Sequence, residues 1–145
     1  MIYSSLDDVS AEFETLGELG GAEAYDERMR LVRRLGEALE PMPPALKTGA
    51  TQVQGCQSQV WVYPLPSSTS DRLHFLADSN TGLTKGIIAL ILLTVQDKSA
   101  RDVLQTDIEQ ELKSFDIQNQ FSSVRTSGLK NMILKIRDTA ERFAR

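Results

Sequence analysis

The run GIIALILLTV at residues 86–95 limits what this chain can become more than any other stretch. It carries no charge for ten residues, about half the length a helix needs to cross a bilayer. The segment TGLTKGIIALILLTVQ therefore predicts a helix starting near residue 82, apolar on every side, buried and packed against a sheet. The rest of the chain has to supply its cover. With 145 residues, 41% of them hydrophobic and 25% charged, the composition fits one globular domain over residues 1–145. A chain of that length buries roughly two thirds of its unfolded surface, so it needs neither disulfide nor metal to fold. A soluble protein is expected, without a membrane partner.

The cover is legible on both sides of the run. Leu6, Val9, Phe13 and Leu16 recur at helical spacing and stop at Gly17, which predicts a helix over 6–16. Met29, Val32, Leu35 and Leu39 line one face of a second helix, which ends at the PMPP of residues 41–44. Its Arg28, Arg30, Arg33 and Arg34 read more readily as a solvated face than as a binding patch. From Thr51 the period changes to two. Val53, then Val60 and Val62 opposite Trp61 and Tyr63, then LHFLAD beyond the SSTSD turn, suggest a three-stranded antiparallel meander. Ser99 and Asp102 resemble a capping box for a short helix over 100–105, and Asp107 to Lys113 suggests another turn or two. Leu129, Met132, Ile133, Ile136, Ala140 and Phe143 mark an amphipathic C-terminal helix. The order describes an α+β domain, a small antiparallel sheet of about three strands covered by helices. No phosphate-binding glycine motif follows a strand, and a net charge of -4 without a basic cluster argues against nucleic acid.

Against this frame stands one thiol. Cys56, in VQGCQSQVWV, is the only cysteine and His74 the only histidine. No internal disulfide is possible, and the N-terminal MIYSSLDDVS lacks the order of a secretory signal, so a reducing compartment is expected. One Cys and one His are too few for a closed zinc site or a cluster bound by one chain, so no metal is expected. A cysteine hydrolase would need a base, and His74 is the sole candidate. It falls well inside its predicted strand, however, whereas Cys56 precedes its own, so the two should lie several residues apart along the ladder. The Gly55-Cys56 order suggests a two-residue hairpin turn with the thiol at a loop tip. Polar neighbours Gln54, Gln57, Ser58 and Gln59 then leave Cys56 evenly balanced between a buried filler and a reactive thiol. A thiolate needs no metal and no second cysteine to attack a sulfur–sulfur bond when a partner supplies the activated sulfur.

Three blocks in order, VQGCQSQVW at 53–61, ADSNTGLTKG at 77–86 and VRTSGLKNM at 124–132, resemble the SufE and CsdE family of sulfur acceptors of cysteine desulfurases. YDERMRLVRRLGEAL extends the similarity toward the N-terminus. The resemblance implies a SufE/IscU-like fold in which Cys56 accepts persulfide sulfur from a desulfurase of the SufS or CsdA type. It also implies stimulation of that enzyme and relay of sulfur to an iron–sulfur scaffold such as SufBCD. The chain would then be a carrier rather than an enzyme, a monomer or weak homodimer with no cofactor of its own, the pyridoxal phosphate belonging to the partner. A cytoplasmic site is expected in a bacterium, and a plastid or mitochondrion in a eukaryote. Gly55, Gln57, Ser58 and Gln59 flank the acceptor, and Asp78, Lys85 and Arg125 match family positions. Arg125 is either a partner contact or a surface residue at a helix entry. Asp78 either orients the Cys56 loop or caps the next helix, and Lys85 lies at the core edge or the interface. Thr51, Asn80 and Val124 depart from common family residues. The alternative from another class is a regulatory module that binds a desulfurase or scaffold without carrying sulfur.

Overall fold

The computed structural model describes residues 5–56, 58–117 and 126–145. Ser5 opens α1 (Leu6–Gly17) by accepting the Asp8 N–H at 3.2 Å, and Asp7 and Asp8 complement the positive end of the helix. Val9 and Phe13 are its buried contacts. The Phe13 ring meets that of Phe115 edge-on at 5.0 Å. Arg28 of α2 (Gly21–Glu37) lies over the Phe13 ring, 4.1 Å from its centroid, and donates to the Phe13 carbonyl at 2.8 Å. One of the arginines assigned to a solvated face is thus the clamp between α1 and α2. The remaining contact is cation–π in kind, strengthened by partial burial.

The apolar run forms α3 (Gly82–Val95), with every residue from Gly86 to Leu92 buried. Helix α2 crosses it at a glycine pair. A Cβ on Gly36 would stand 2.6 Å from the Gly86 nitrogen, and one on Gly86 would strike the Val32 carbonyl. Backbone therefore touches backbone at this crossing. The other cover comes from β1 (Val60–Pro64) and β2 (Phe75–Ser79), antiparallel with Val60 opposite Ser79 and Pro64 opposite Phe75. Val60 and Val62 face inward and Trp61 and Tyr63 outward, as the period of two predicts. The Gln96 side chain covers Phe75 at the free edge of β2, accepting its N–H and donating to its carbonyl, both at 2.8 Å.

The third strand expected at 51–53 is reduced to a bridge between Gln52 and Trp61. Two backbone bonds make it, Val53 to the Val60 carbonyl at 2.7 Å and Val62 to the Thr51 carbonyl at 2.9 Å. The segment is bounded by the Thr48–Thr51 turn on one side and by Gly55, at φ +80°, on the other, which leaves no length for a ladder. After α3, Ser99 caps α4 (Ala100–Gln105) by accepting the Asp102 N–H at 3.1 Å, and Asp107 caps α5 (Ile108–Glu111) in the same way through Gln110. The last helix, α6 (Thr126–Ala144), buries Met132, Ile133, Ile136 and Ala140, with Leu129 and Phe143 packed at the margin. Arg137 of α6 donates to the carbonyls of Leu104 and Thr106 at the end of α4. Buried residues from Val9 to Ala140 join one hydrophobic cluster around α3. Among the described residues no helix is long and apolar enough to cross a membrane.

Candidate functional site

Beside the bridge, residues 50–56 run along α6, and their outward carbonyls meet its side chains in turn. Lys135 Nζ donates to Ala50 at 2.8 Å and to Gln52 at 3.5 Å, and Asn131 Nδ2 donates to Gln54 at 2.8 Å. An extended segment turns every second carbonyl the same way, and residues four apart on a helix share a face, so the two periods come into register here. The last contact is the thiol's own. Cys56 Sγ–H points to the Gly128 carbonyl at 3.6 Å, a weak bond to the first turns of α6. The seat is close because Gly128 has no side chain: a Cβ there would stand 3.1 Å from Sγ and 3.3 Å from the Cys56 Cα, and the cysteine would have to yield by a few tenths of an ångström.

The expected two-residue hairpin is corrected on two counts. The chain pairs at Val53 and Val60, so a longer loop separates the strands. The Cys56 side chain is also not thrown outward, but is half-buried and packed against the core. Burial pushes the thiol's pKa up, since the thiolate would lose solvation at this position. The resting group is thus a shielded, protonated thiol. Of its flanking residues, Ser58 accepts from the Thr81 hydroxyl at 3.1 Å, and Thr81 is the N-cap position of α3. Gln59 is held twice by Asn80, whose Oδ1 accepts the Gln59 N–H at 3.1 Å while its own N–H reaches the Gln59 carbonyl at 3.4 Å. Gln57 and Arg125 lie outside the described residues.

Asp78 and Lys85 come together, but not on the Cys56 loop. Asp78 lies opposite Trp61 on the outer face of the sheet and pairs with Lys47 at 2.7 Å and Lys85 at 3.3 Å. Lys47 Nζ is also 5.3 Å from the Trp61 ring centroid. Burial alone would raise the Asp78 pKa, but the Lys47 hydrogen bond, the Ser79 N–H and the two ammonium charges outweigh it and hold the carboxyl below its ordinary value. Asp78 does not cap α3, whose first turn is entered at Thr81.

His74 cannot serve Cys56. It sits just before β2, bonded through its carbonyl to Leu65 at 2.7 Å, at the end of the sheet away from the loop. Its ring bridges Asp97 and Glu40, each at 2.7 Å. The expected position inside a strand is one residue out, since β2 begins at Phe75, and the dyad fails on distance as the register argument requires. Asn131, Lys135, Gly128 and the clasp by Asn80 are not assigned by the sequence reasoning. A signal for them exists in part: Gly128, Asn131 and Lys135 are spaced three and four apart, as residues on one side of a helix are.

Fold and site together define a class, a small α+β domain that seats one shielded thiol between a sheet end and the start of its last helix. The chain belongs to the SufE family, the Fe-S metabolism associated domain, whose model matches residues 14–140. It is 28% identical to a SufE-like protein of Rhizobium etli over 97% of this chain and 93% of the relative. With one of Rhizobium meliloti it shares 30% identity over 95% and 96% of the two chains. The cysteine desulfuration protein SufE of Wigglesworthia glossinidia brevipalpis is 26% identical over 81% of each. A hypothetical protein from Thermus thermophilus, solved in solution, superposes with a TM-score of 0.67 over 92% of this chain and 93% of its own, at 15% identity, which shows the shared fold.

Proposed function

We propose that the chain is a persulfide sulfur acceptor and activator of a cysteine desulfurase of the SufS or CsdA type. The observation that carries this reading is the single thiol of GCQSQVW, placed on a sheet-end loop and half-shielded against α6. The Cys56 thiolate attacks the outer sulfur of the partner's cysteine persulfide. A new S–S bond forms on Cys56, the partner's S–S bond breaks, and the partner's cysteine leaves as the thiolate that takes up the proton Cys56 released. Nothing is oxidised or reduced overall, so the step needs no cofactor in this chain. The partner holds the pyridoxal phosphate.

The raised thiol pKa suits a carrier. A protonated, shielded sulfur resists stray oxidants and disulfides, and becomes nucleophilic once the partner's site receives it. Removing the persulfide frees the desulfurase for its next turnover, which is the activating effect, and the sulfur passes on to an iron–sulfur scaffold of the SufBCD kind. A bacterial cytoplasm is a fitting setting for a reduced thiol. Incubation with a SufS-type desulfurase and L-cysteine, followed by intact mass measurement, should add sulfur in steps of about 32 Da to the wild type and none to Cys56→Ser. An unmodified wild type would overturn the acceptor reading, and full stimulation by Cys56→Ser would favour a purely regulatory module.

A further inference from the structure

The geometry points to Asn131 as the positioning residue that sets how firmly Cys56 is seated. This rests on the reading of Cys56 as the working thiol. Four groups in residues 50–56 are tied to α6, and they differ in strength along the segment. Lys135, a charged donor, holds Ala50 and Gln52 at the base. Asn131 holds Gln54 by one neutral, exposed bond of 2.8 Å. Beyond it, the one hydrogen bond the thiol makes among the described residues is the long contact to Gly128. Asn131 is thus the last side-chain tie before the sulfur, and the segment is anchored more firmly behind it than ahead of it.

The carboxamide also fits over the turn in a way no other residue at position 55 would permit. A Cβ on Gly55 would collide with Asn131 Nδ2, and at φ +80° the backbone itself favours glycine. Gly55 and Asn131 therefore work as a pair, one leaving the space and the other filling it with a donor. A single solvent-facing hydrogen bond has a net strength that thermal motion and a competing partner surface can both overcome. The tie is placed to be broken without disturbing the core, because the buried contacts of this turn are made by Met132 and Ile133 rather than by Asn131.

The test is the second-order rate of Cys56 alkylation by iodoacetamide, followed from pH 6 to 10, which needs no desulfurase and so fails independently of the acceptor reading. Asn131→Ala should raise the rate at neutral pH by about three- to tenfold, the size of one such bond. Its pH–rate midpoint should fall toward that of a free thiol, because the unseated sulfur regains solvent. Asn131→Asp, which keeps the shape but turns an acceptor toward the Gln54 carbonyl, should raise the rate at least as much. Leu134→Ala, at an exposed site on the same helix, is the control and should leave it unchanged. Unaltered rates and midpoints in both Asn131 variants, or an equal rise in the control, would overturn the assignment. If either variant folds poorly, Asn131→Ser, which is too short to carry the donor to the Gln54 carbonyl, takes its place and should raise the alkylation rate in the same way; an unchanged rate rejects the tie.

Discussion

The Sγ of Cys56 lies 3.6 Å from the carbonyl oxygen of Gly128, and no atom beyond hydrogen fits on the Gly128 Cα without pressing on the cysteine. The thiol's shelter is therefore made by a missing side chain. An open surface would leave the sulfur to any oxidant, and a deep pocket would keep it from a partner. A glycine in the first turns of a helix gives a seat shallow enough to leave.

Gly128→Ala should unseat the thiol with little loss of stability. The added methyl stands 3.1 Å from Sγ, so the cysteine has to yield by a few tenths of an ångström. Alanine is meanwhile favoured over glycine within a helix by about 1 kcal/mol, which offsets the strain. Alkylation of Cys56 should quicken while the unfolding free energy stays within about 1 kcal/mol of the wild type. The sign of the pH effect follows from burial. A thiol pKa raised in the folded state contributes stability at pH below its unfolded value and loses it as pH rises through the raised value. Alkaline pH should accordingly loosen the seat in the wild type and loosen it less in the variant, as amide exchange at Cys56 would show.

Helices and their faces are readable from the apolar spacing, because one side of each meets the core around α3 and the period follows. The GIIALILLTV run announces its own burial. Two features are not legible. The bridge at Gln52 carries β-like alternation, but its neighbour on the outer side is α6, and no local pattern says that Lys135 and Asn131 will take its carbonyls. The second is Arg28, one basic residue in a run of four, whose stacking on Phe13 is decided by where α1 lands. Both depend on contacts distant in sequence. The thiol itself is visible as chemistry, whereas its half-buried resting place depends on Gly128, 72 positions away.

His74 should act as a pH-dependent clip joining the segment after α2, the start of β2 and the end of α3. Its ring lies between Glu40 and Asp97 at 2.7 Å from each, and Arg72 also bonds Asp97 at 3.1 Å. Burial lowers the imidazole pKa, but the hydrogen bonds and charges of Asp97 and Glu40 outweigh it, so the net shift is upward. Asp97 is shifted downward, burial being outweighed by His74 and Arg72. The histidine's contribution is full below its ordinary value of about 6.5 and fades as pH rises through the raised one. The aspartate's is full above about 4 and fades in acid. His74→Gln should cost about 1 kcal/mol near pH 5.5 and less near pH 9, since these groups are partly exposed. Urea unfolding at the two pH values measures the difference, and an equal cost at both would contradict the clip.

Asp78→Asn tests the loop-orienting reading of that residue, which remains once the helix cap is assigned to Thr81. Its carboxylate holds Lys47 and Lys85, and its side chain is only 16% exposed. Neutralising it leaves two ammonium groups close together without the carboxylate they share, at a cost of about 1–2 kcal/mol. Because its pKa is depressed, the loss should be present at neutral pH and vanish as pH falls below about 4. The Cys56 alkylation rate should not change, since the carboxylate bonds the two lysines and the Ser79 N–H rather than residues 50–56. A changed rate would restore a loop-orienting role. Weakened stimulation of a desulfurase at an unchanged rate would assign the lysine pair to the partner surface.

Gly86→Ala should damage the fold more than any of these while leaving the chemistry intact in whatever fraction folds. Helices α2 and α3 approach so closely that the Gly86 Cβ position falls against the Val32 carbonyl, and the reciprocal Gly36 site falls 2.6 Å from the Gly86 nitrogen. The obstacle is backbone on both sides, which cannot rotate away as a side chain can. Admitting one methyl means separating two helices that share the centre of the core, and overpacking of this kind costs about 1–3 kcal/mol or more. The gain in helix propensity, about 1 kcal/mol, does not recover it. Unfolding by urea should show a lower midpoint with an unchanged slope, because the same surface is exposed from a less stable state. Gly49→Ala, where nothing stands within 4 Å of the added atom, is the matching control and should leave the midpoint nearly unmoved.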